Sequence, residues 1–132
     1  MNNKLFEMAK LASKNSYSIF SHFKVAAAIE LKDGRIFTGV NIENSSYPES
    51  MCAERVCLFK AYSEGVRKDD IVSLLIYHPG TDALAYPCGG CRQVMSDLMD
   101  HKCTIAVSND SEYKEFVLGD LLPYSFTPEN LK

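Results

Sequence analysis

Residues 71–99, IVSLLIYHPGTDALAYPCGGCRQVMSDLM, combine a strand pattern with a helix pattern. The run 71–77 is apolar almost without interruption, which is typical of a central strand covered on both faces. From residue 90 to residue 100, apolar side chains recur at helical spacing and form one stripe. We therefore expect a β-strand that leads through a loop into an amphipathic helix, the repeating unit of α/β folds.

The segments before this unit predict a helix, a hairpin and a second helix. Residues 4–14 carry apolar residues at helical spacing, and residues 24–42 read as two strands joined by a two-residue turn at Asp33-Gly34. Residues 52–63 are apolar nearly all round, which is typical of a buried helix, and Gly65 is a plausible end for it.

The segments after this unit complete the predicted fold. Residues 104–107 and 113–118 predict two more strands, and Thr127-Pro128-Glu129 resembles a helix start. The resulting order, α-β-β-α-β-α-β-β, predicts an α/β fold with a mixed sheet and helices on both faces, a three-layer α-β-α sandwich around five strands. We expect residues 1–132 to form a single domain.

Composition excludes several classes of protein. The net charge of −3 argues against a nucleic-acid groove, which needs clustered Lys and Arg. No apolar run approaches the ~20 residues of a membrane helix, and the N-terminus lacks a signal-peptide pattern, so we expect a cytoplasmic protein that binds no membrane. Five cysteines are an odd number, which argues against a disulfide framework in that compartment.

Three cysteines lie where predicted helices begin. Cys52 precedes one helix, and Cys88 and Cys91 open the next. The partial positive charge at a helix N-terminus favours a thiolate, and three thiolates suit Zn²⁺. A structural zinc site normally has four protein ligands, whereas a catalytic site keeps a position for water, so three ligands favour catalysis.

The remaining cysteines and the histidines are interpreted as ordinary structural residues. Cys57 and Cys103 read as small buried apolar residues. The three histidines lack ligand spacing and are interpreted as surface or turn residues: His22, His78 and His101.

Glu54 follows Cys52 by two residues, in the first turn of the predicted helix. Alone, it would be interpreted as a carboxylate that complements the helix dipole. Beside a zinc cysteine, it becomes a candidate general acid-base group that does not itself ligate the metal, an arrangement known from zinc deaminases.

Two motifs resemble those of the small zinc-dependent cytidine deaminases. These are Cys52-Ala53-Glu54-Arg55 and Pro87-Cys88-Gly89-Gly90-Cys91-Arg92-Gln93, and the run Asn41-Ile42-Glu43-Asn44 is similar to the nucleoside-binding motif of that family. The resemblance extends from about Tyr17 to Phe126. It implies one Zn²⁺ per chain on Cys52, Cys88 and Cys91, with Glu54 as the catalytic residue.

The resemblance also implies roles for residues around the nucleoside. Phe23 would pack against the pyrimidine, the backbone of Ala53 would contact the base, and Asn41 and Glu43 would bind the ribose hydroxyls. The spacing of Asn41 and Glu43 independently puts both on one face of an extended chain. Phe126 would close over the nucleoside from a neighbouring subunit.

The same resemblance implies the reaction and the assembly. The reaction would be the hydrolytic deamination of cytidine, and of deoxycytidine, to the uridine compound with release of ammonia, in pyrimidine salvage. Arg55 would donate hydrogen bonds to the zinc thiolates. A homotetramer with sites at the subunit boundaries would be the working form.

Three alternatives remain open from the sequence. A sister enzyme acting on blasticidin-like or other modified cytosine nucleosides would share the zinc motifs. A structural zinc module would need a fourth ligand, and a thioredoxin-like redox protein would use Cys88 and Cys91 without Cys52. A substrate panel decides the first alternative, ammonia release the second and metal content the third.

Overall fold

The computed structural model of the protein describes residues 3–131. Its helices and strands follow the predicted order, with one short helix added near the C-terminus. In chain order they are α1 (Asn3–Ala12), β1 (Ala26–Leu31), β2 (Ile36–Val40), α2 (Ala53–Ser63), β3 (Ile71–Tyr77), α3 (Gly89–Leu98), β4 (Thr104–Ser108), β5 (Tyr113–Val117) and α4 (Leu118–Leu121).

The five strands form one mixed sheet in the order β2-β1-β3-β4-β5. Strand β1 pairs antiparallel with β2 and β3, β3 pairs parallel with β4, and β5 pairs antiparallel with β4. Helix α1 covers one face, where Leu5 and Ala9 are buried, and α2 and α3 cover the other. The predicted three-layer α-β-α sandwich is confirmed.

Two helices follow strands that point in the same direction. Strands β2 and β3 both run opposite to β1, so α2 and α3 both leave the sheet at one edge. The carboxyl ends of parallel strands are where α/β sheets usually bind ligands. The two helix N-termini that carry the cysteines therefore meet there.

The hairpin turn differs from the expected two-residue form. Leu31 N–H donates to the carbonyl of Arg35 at 2.9 Å, and Gly34 N–H donates to that of Leu31 at 2.9 Å, so three residues lie between the paired ends. Gly34 has a φ of 92°. This is the turn with a left-handed residue in the last loop position, for which glycine is favoured.

Helix α2 lies directly on β2 at Gly39. A Cβ atom at residue 39 would lie 2.4 Å from the backbone nitrogen of Cys57 and 2.9 Å from the carbonyl oxygen of Ala53. Only glycine allows so close an approach. This contact sets the height of the first turn of α2 above the sheet.

The expectation that α2 is buried all round is wrong in part. Ala53, Glu54, Cys57, Leu58 and Ala61 are buried, but Phe59 is 43% exposed. The outer face of α2 is therefore partly open, and Phe59 borders an apolar groove that Phe126 also lines. At the end of α2, Gly65 adopts a φ of 96° and its N–H donates to the carbonyl of Tyr62, as predicted for a helix stop.

The short helix α4 was not predicted, because four residues are too few for a periodic pattern. Residues 128–131 form a 3₁₀ turn where a helix start was expected. No helix within residues 3–131 combines the length and the apolar character needed to cross a bilayer.

Candidate active site

Three thiols meet at the N-termini of α2 and α3. Cys52 and Cys88 are the N-cap residues of the two helices, and Cys91 lies in the first turn of α3. Their Sγ atoms all lie within 4.8 Å of one another. Three converging sulfur atoms could hold one metal ion, and a set of three sulfur donors suits zinc. No fourth His, Cys, Asp or Glu of residues 3–131 joins this group.

Hydrogen bonds among these thiols favour one thiolate even before a metal binds. The pKa of Cys52 is lowered to about 5, foremost by the hydrogen bond from the Cys91 thiol and then by Arg55. The pKa of Cys91 is raised, because its proton is held in that hydrogen bond and because the group is buried. Metal binding must displace the remaining protons, as is usual for thiolate sites.

Arg55 supplies a positive charge directly to the sulfur cluster. Its Nη2 donates a hydrogen bond to Cys52 Sγ at 3.3 Å. That contact is the first cause of the raised pKa of the Arg55 guanidinium, which stays protonated. Its Nε is buried and has no hydrogen-bond partner among the described residues. The position next to the thiol is the one expected from the sequence.

Glu54 is buried next to the cysteines, with 5% of its surface exposed. Burial is the first cause of the raised pKa of its carboxyl. A raised pKa makes a carboxyl hold a proton more readily, which suits a group that must both accept and donate a proton in one catalytic cycle. The location and the electrostatics therefore suit an acid-base group better than an exposed helix-start carboxylate.

A cleft of about 250 Å³ opens beside Glu54 and two of the cysteines. The described residues that line it include four of the predicted substrate-binding residues, namely Phe23, Asn41, Glu43 and Ala53. The others are Ser21, Val25, Cys52, Glu54, Ile76, Ala85, Tyr86 and Cys88. Two of the three converging thiols, Glu54 and four of the five predicted substrate-binding residues thus line one cavity.

Phe126 lies elsewhere in this chain. Its ring is 58% exposed and lines a separate apolar groove of about 380 Å³ with Phe59, Val94 and Leu98. Gln93 Nε2 donates to its carbonyl at 3.0 Å. The chain alone does not bring Phe126 to the cleft.

Asn41 and Glu43 also fasten the chain segment in front of β1. Asn41 Oδ1 accepts from Val25 N–H at 3.0 Å and from the hydroxyl of Ser16, and its Nδ2 donates to the carbonyl of Phe23 at 2.8 Å. These bonds leave one N–H of the Asn41 amide without a partner in the described residues.

Glu43 holds the turn that precedes Phe23. Its Oε1 accepts from the N–H groups of Phe20 and Ser21, both at 3.0 Å, and its Oε2 accepts from the Ser21 hydroxyl. The Ser21 hydroxyl is the first cause of the lowered pKa of Glu43. A carboxylate has about four acceptor positions, so one remains open on Oε2.

Several residues with a part in this site were not identified from the sequence. Ser16 and Ser21 were missed because a lone serine carries no pattern. Arg92, which was quoted only as part of a motif, donates to the carbonyls of Pro87 at 2.8 Å and Leu121 at 3.0 Å, and so holds the loop before Cys88.

For one histidine, the interpretation as a surface or turn residue is wrong in part. His78 directly follows β3 but is only 2% exposed, so the expectation of a surface or turn residue is wrong for its burial. His22 is exposed and His101 is partly buried. The remaining cysteines behave as expected: Cys57 and Cys103 are buried, and burial raises the pKa of Cys57 to about 12.

Comparisons with known proteins agree with this geometry. Residues 1–107 match the family described as the cytidine and deoxycytidylate deaminase zinc-binding region. The cytidine deaminase of Halalkalibacterium halodurans is 41% identical over 128 residues, which cover 96% of this chain and 95% of that protein. The cytidine deaminase of Mycoplasma genitalium is 37% identical over 123 residues, which cover 92% of each chain.

The fold has a close match among solved structures. The crystal structure of cytidine deaminase from Burkholderia pseudomallei superposes with a TM-score of 0.90 at 37% identity, and the match covers 96% of this chain and 99% of that chain. The matched family region binds zinc by its description, and the Cys52, Cys88 and Cys91 thiols are the group that could hold the ion. The chain belongs to the cytidine and deoxycytidylate deaminase family.

Proposed function

We propose that the protein catalyses the hydrolytic deamination of cytidine and deoxycytidine, with Cys52, Cys88 and Cys91 on zinc and Glu54 as the acid-base residue. The observation that carries this proposal is the placement of a buried carboxyl beside three convergent thiols in a cleft of nucleoside size. A structural zinc module would normally have four protein ligands and would need no cleft beside the metal.

Cys52, Cys88 and Cys91 would hold the zinc ion, which would lower the pKa of water and so supply a nucleophile near neutral pH. Glu54 accepts a proton from the attacking water and delivers it to N3 of the pyrimidine. It then carries a second proton to the amino group on C4, which leaves as ammonia. Water and cytidine are consumed, and uridine and ammonia are formed.

The open hydrogen-bond positions of Asn41 and Glu43 suit the two ribose hydroxyls. Asn41 has one N–H left to donate, and Glu43 has one acceptor position left on Oε2. A hydroxyl can accept the first and donate to the second. Phe23 packs on the pyrimidine, and the backbone of Ala53 contacts its edge. Binding energy of this kind orients the base for attack.

The assembled form is a homotetramer with sites at the subunit boundaries, and its place is pyrimidine salvage in the cytoplasm. Exposed aromatic rings near the cleft and on α2 support an assembly, among them Phe20 (43% exposed), Tyr47 (71%) and Phe59 (43%). Phe126 would reach a cleft only in another copy of the chain, which supports its role as a residue that closes a neighbouring site.

The test is turnover by purified, zinc-loaded protein. Cytidine and deoxycytidine should give equal amounts of ammonia and of the uridine compound. A panel with blasticidin S and base-modified cytosine nucleosides separates this activity from the sister enzyme. Turnover of the modified compounds alone would contradict the proposal.

A further inference from the structure

His78 is a buried polar residue that the proposed chemistry does not use. It follows the last residue of β3 and is 2% exposed. It is not one of the residues that could hold the metal ion. Buried imidazoles are normally hydrogen-bonded, so its partners indicate its role.

The hydrogen bonds of His78 fix its tautomer. The backbone N–H of Ala85 donates to Nε2 at 3.1 Å, and since a backbone amide can only donate, Nε2 carries no proton. The proton of the neutral ring is then on Nδ1, which faces the carbonyl oxygen of Pro79 at 3.3 Å. The ring therefore joins the two ends of the segment 79–85.

That segment is fastened independently at its start. Gly80 N–H donates to Asp110 Oδ2 at 2.7 Å, and Asp110 N–H donates to the Gly80 carbonyl at 2.9 Å. Asn109 Nδ2 donates to the carbonyl of Asp82 at 2.7 Å. Beyond Asp82, Leu84 is buried in the core, Ala85 bonds to His78, and the Tyr86 ring packs against Phe116. Of these, the bond to His78 is the one that holds the backbone of Ala85, and Ala85 and Tyr86 line the cleft.

The same ring also contacts Phe23, another residue that lines the cleft. The ring centroids of His78 and Phe23 are 5.3 Å apart, with an angle of 46° between the planes. Phe23 is 44% exposed, so His78 contacts it from within the fold while the rest of the ring remains open. One imidazole thus contacts Phe23 by its ring and Ala85 by its Nε2.

We propose that His78 is a positioning residue that sets the width of the cleft between Phe23 and the Ala85-Tyr86 backbone. The inference rests on the proposed function only in taking a cytosine nucleoside as the occupant. Because the hydrogen bonds of His78 within residues 3–131 go to Pro79 and Ala85 and not to Glu54 or the cysteines, its loss should weaken nucleoside binding and leave the chemical step nearly unchanged.

The test compares two amide side chains that differ by one methylene group. In His78→Gln the amide oxygen reaches the place of Nε2 and can accept from Ala85. In His78→Asn the amide ends near the place of Nδ1 and leaves the Ala85 N–H without an acceptor. We expect His78→Asn to raise KM by ~10-fold, which corresponds to about 1.4 kcal/mol of binding free energy, because the Ala85 backbone loses its acceptor. Its kcat should change by less than ~3-fold, and His78→Gln should restore most of the binding.

Two further measurements do not depend on turnover. Cytidine binding is measured by calorimetry in the Glu54→Gln background, where the nucleoside is not consumed. Amide hydrogen exchange of the segment 79–87 is measured without any ligand, and zinc content is measured for each variant. We expect faster exchange at Ala85 and Tyr86 in His78→Asn than in His78→Gln, with zinc retained in both.

The outcomes separate this inference from the proposed function. If the wild-type protein releases no ammonia from cytidine, the proposed function fails, and the exchange experiment still decides the role of His78. If His78→Asn lowers thermal stability but leaves KM, cytidine binding and loop exchange unchanged, His78 is an ordinary core residue. Equal losses in the Gln and Asn variants would also overturn the inference, because the acceptor would then not matter.

Discussion

Arg55 Nη2 lies 3.3 Å from Cys52 Sγ. Arg55 follows Cys52 by three residues, as Cys91 follows Cys88 in the other helix. Cys52 and Cys88 are N-caps, so Arg55 and Cys91 both occupy the third position of their helices. One helix therefore brings two thiols to the metal, and the other brings a thiol and a cation. Zinc with three thiolates has a net negative formal charge, which the guanidinium offsets.

Arg55→Gln should lower turnover more than it weakens substrate binding. A more negative centre holds protons more tightly, so the acidic limb of the pH–rate profile should move to higher pH. Changes next to metal ligands typically cost ~10–100-fold in activity or metal affinity. Steady-state kinetics between pH 4 and pH 9, with zinc measured on the same samples, provide the check. Wild-type turnover with an unshifted profile would mean that the helix N-termini suffice.

Replacing Cys52, Cys88 or Cys91 by Ala should remove most of the zinc and much of the folded protein, since each is one of the three converging thiols that could hold the ion. Cys57→Ser and Cys103→Ser serve as matched controls. Both thiols donate to backbone carbonyls, of Phe37 and Ile71, which a serine hydroxyl can also do. Elemental analysis after gel filtration measures the result, and full zinc occupancy in Cys88→Ala would refute the ligand assignment.

Glu54→Gln should retain zinc and the fold but lose turnover. The amide has nearly the same shape, but it cannot take a proton from water. General acid-base groups contribute ~10²–10⁴-fold, and a residue that serves several transfers should lie at the upper end. Single-turnover kinetics with zinc-loaded protein measure the loss. A decrease of less than ~10-fold would leave Glu54 as a helix-start carboxylate.

Phe126→Ala should raise KM without lowering the stability of the single chain, because the ring is 58% exposed in it. The effect should depend on assembly, since the chain does not place Phe126 at its own cleft. Light scattering of the wild type should give a tetramer at assay concentrations. A fully active monomer would contradict both the proposed assembly and the role of Phe126.

Much of the fold could be predicted because its elements have distinct periods. The apolar residues of β3 form a nearly continuous run, which is typical of a buried strand, whereas those of α3 recur at helical spacing. The three thiols could also be predicted to lie together, because a helix start is a local feature of the sequence. Cys52 lies at the start of α2, and Cys88 and Cys91 lie at the start of α3.

The errors concern properties that depend on distant parts of the chain. The hairpin has three loop residues because Leu31 pairs with Arg35, a choice of register that Asp33-Gly34 does not determine. His78 is buried where the segment 79–85 folds back, so that Ala85 bonds to its ring, and where Phe23, which is distant in sequence, packs against it. The sequence of α2 is apolar nearly all round, so it does not show which side is exposed. That side is determined by the sheet, which covers only one face of the helix.

Asn41 and Glu43 each have a binding role and a structural role, which restricts how this protein could evolve or be engineered. The same two side chains that we assign to the ribose also fasten the segment from Ser16 to Val25 through six hydrogen bonds to five residues, namely Ser16, Phe20, Ser21, Phe23 and Val25. A substitution that relaxes sugar selectivity therefore also loosens the segment that presents Phe23. A mutant library for nucleosides with a different sugar would have to vary Ser16 and Ser21 together with Asn41 and Glu43. Substituting Asn41 or Glu43 alone would give variants in which the segment that carries Phe23 is poorly anchored.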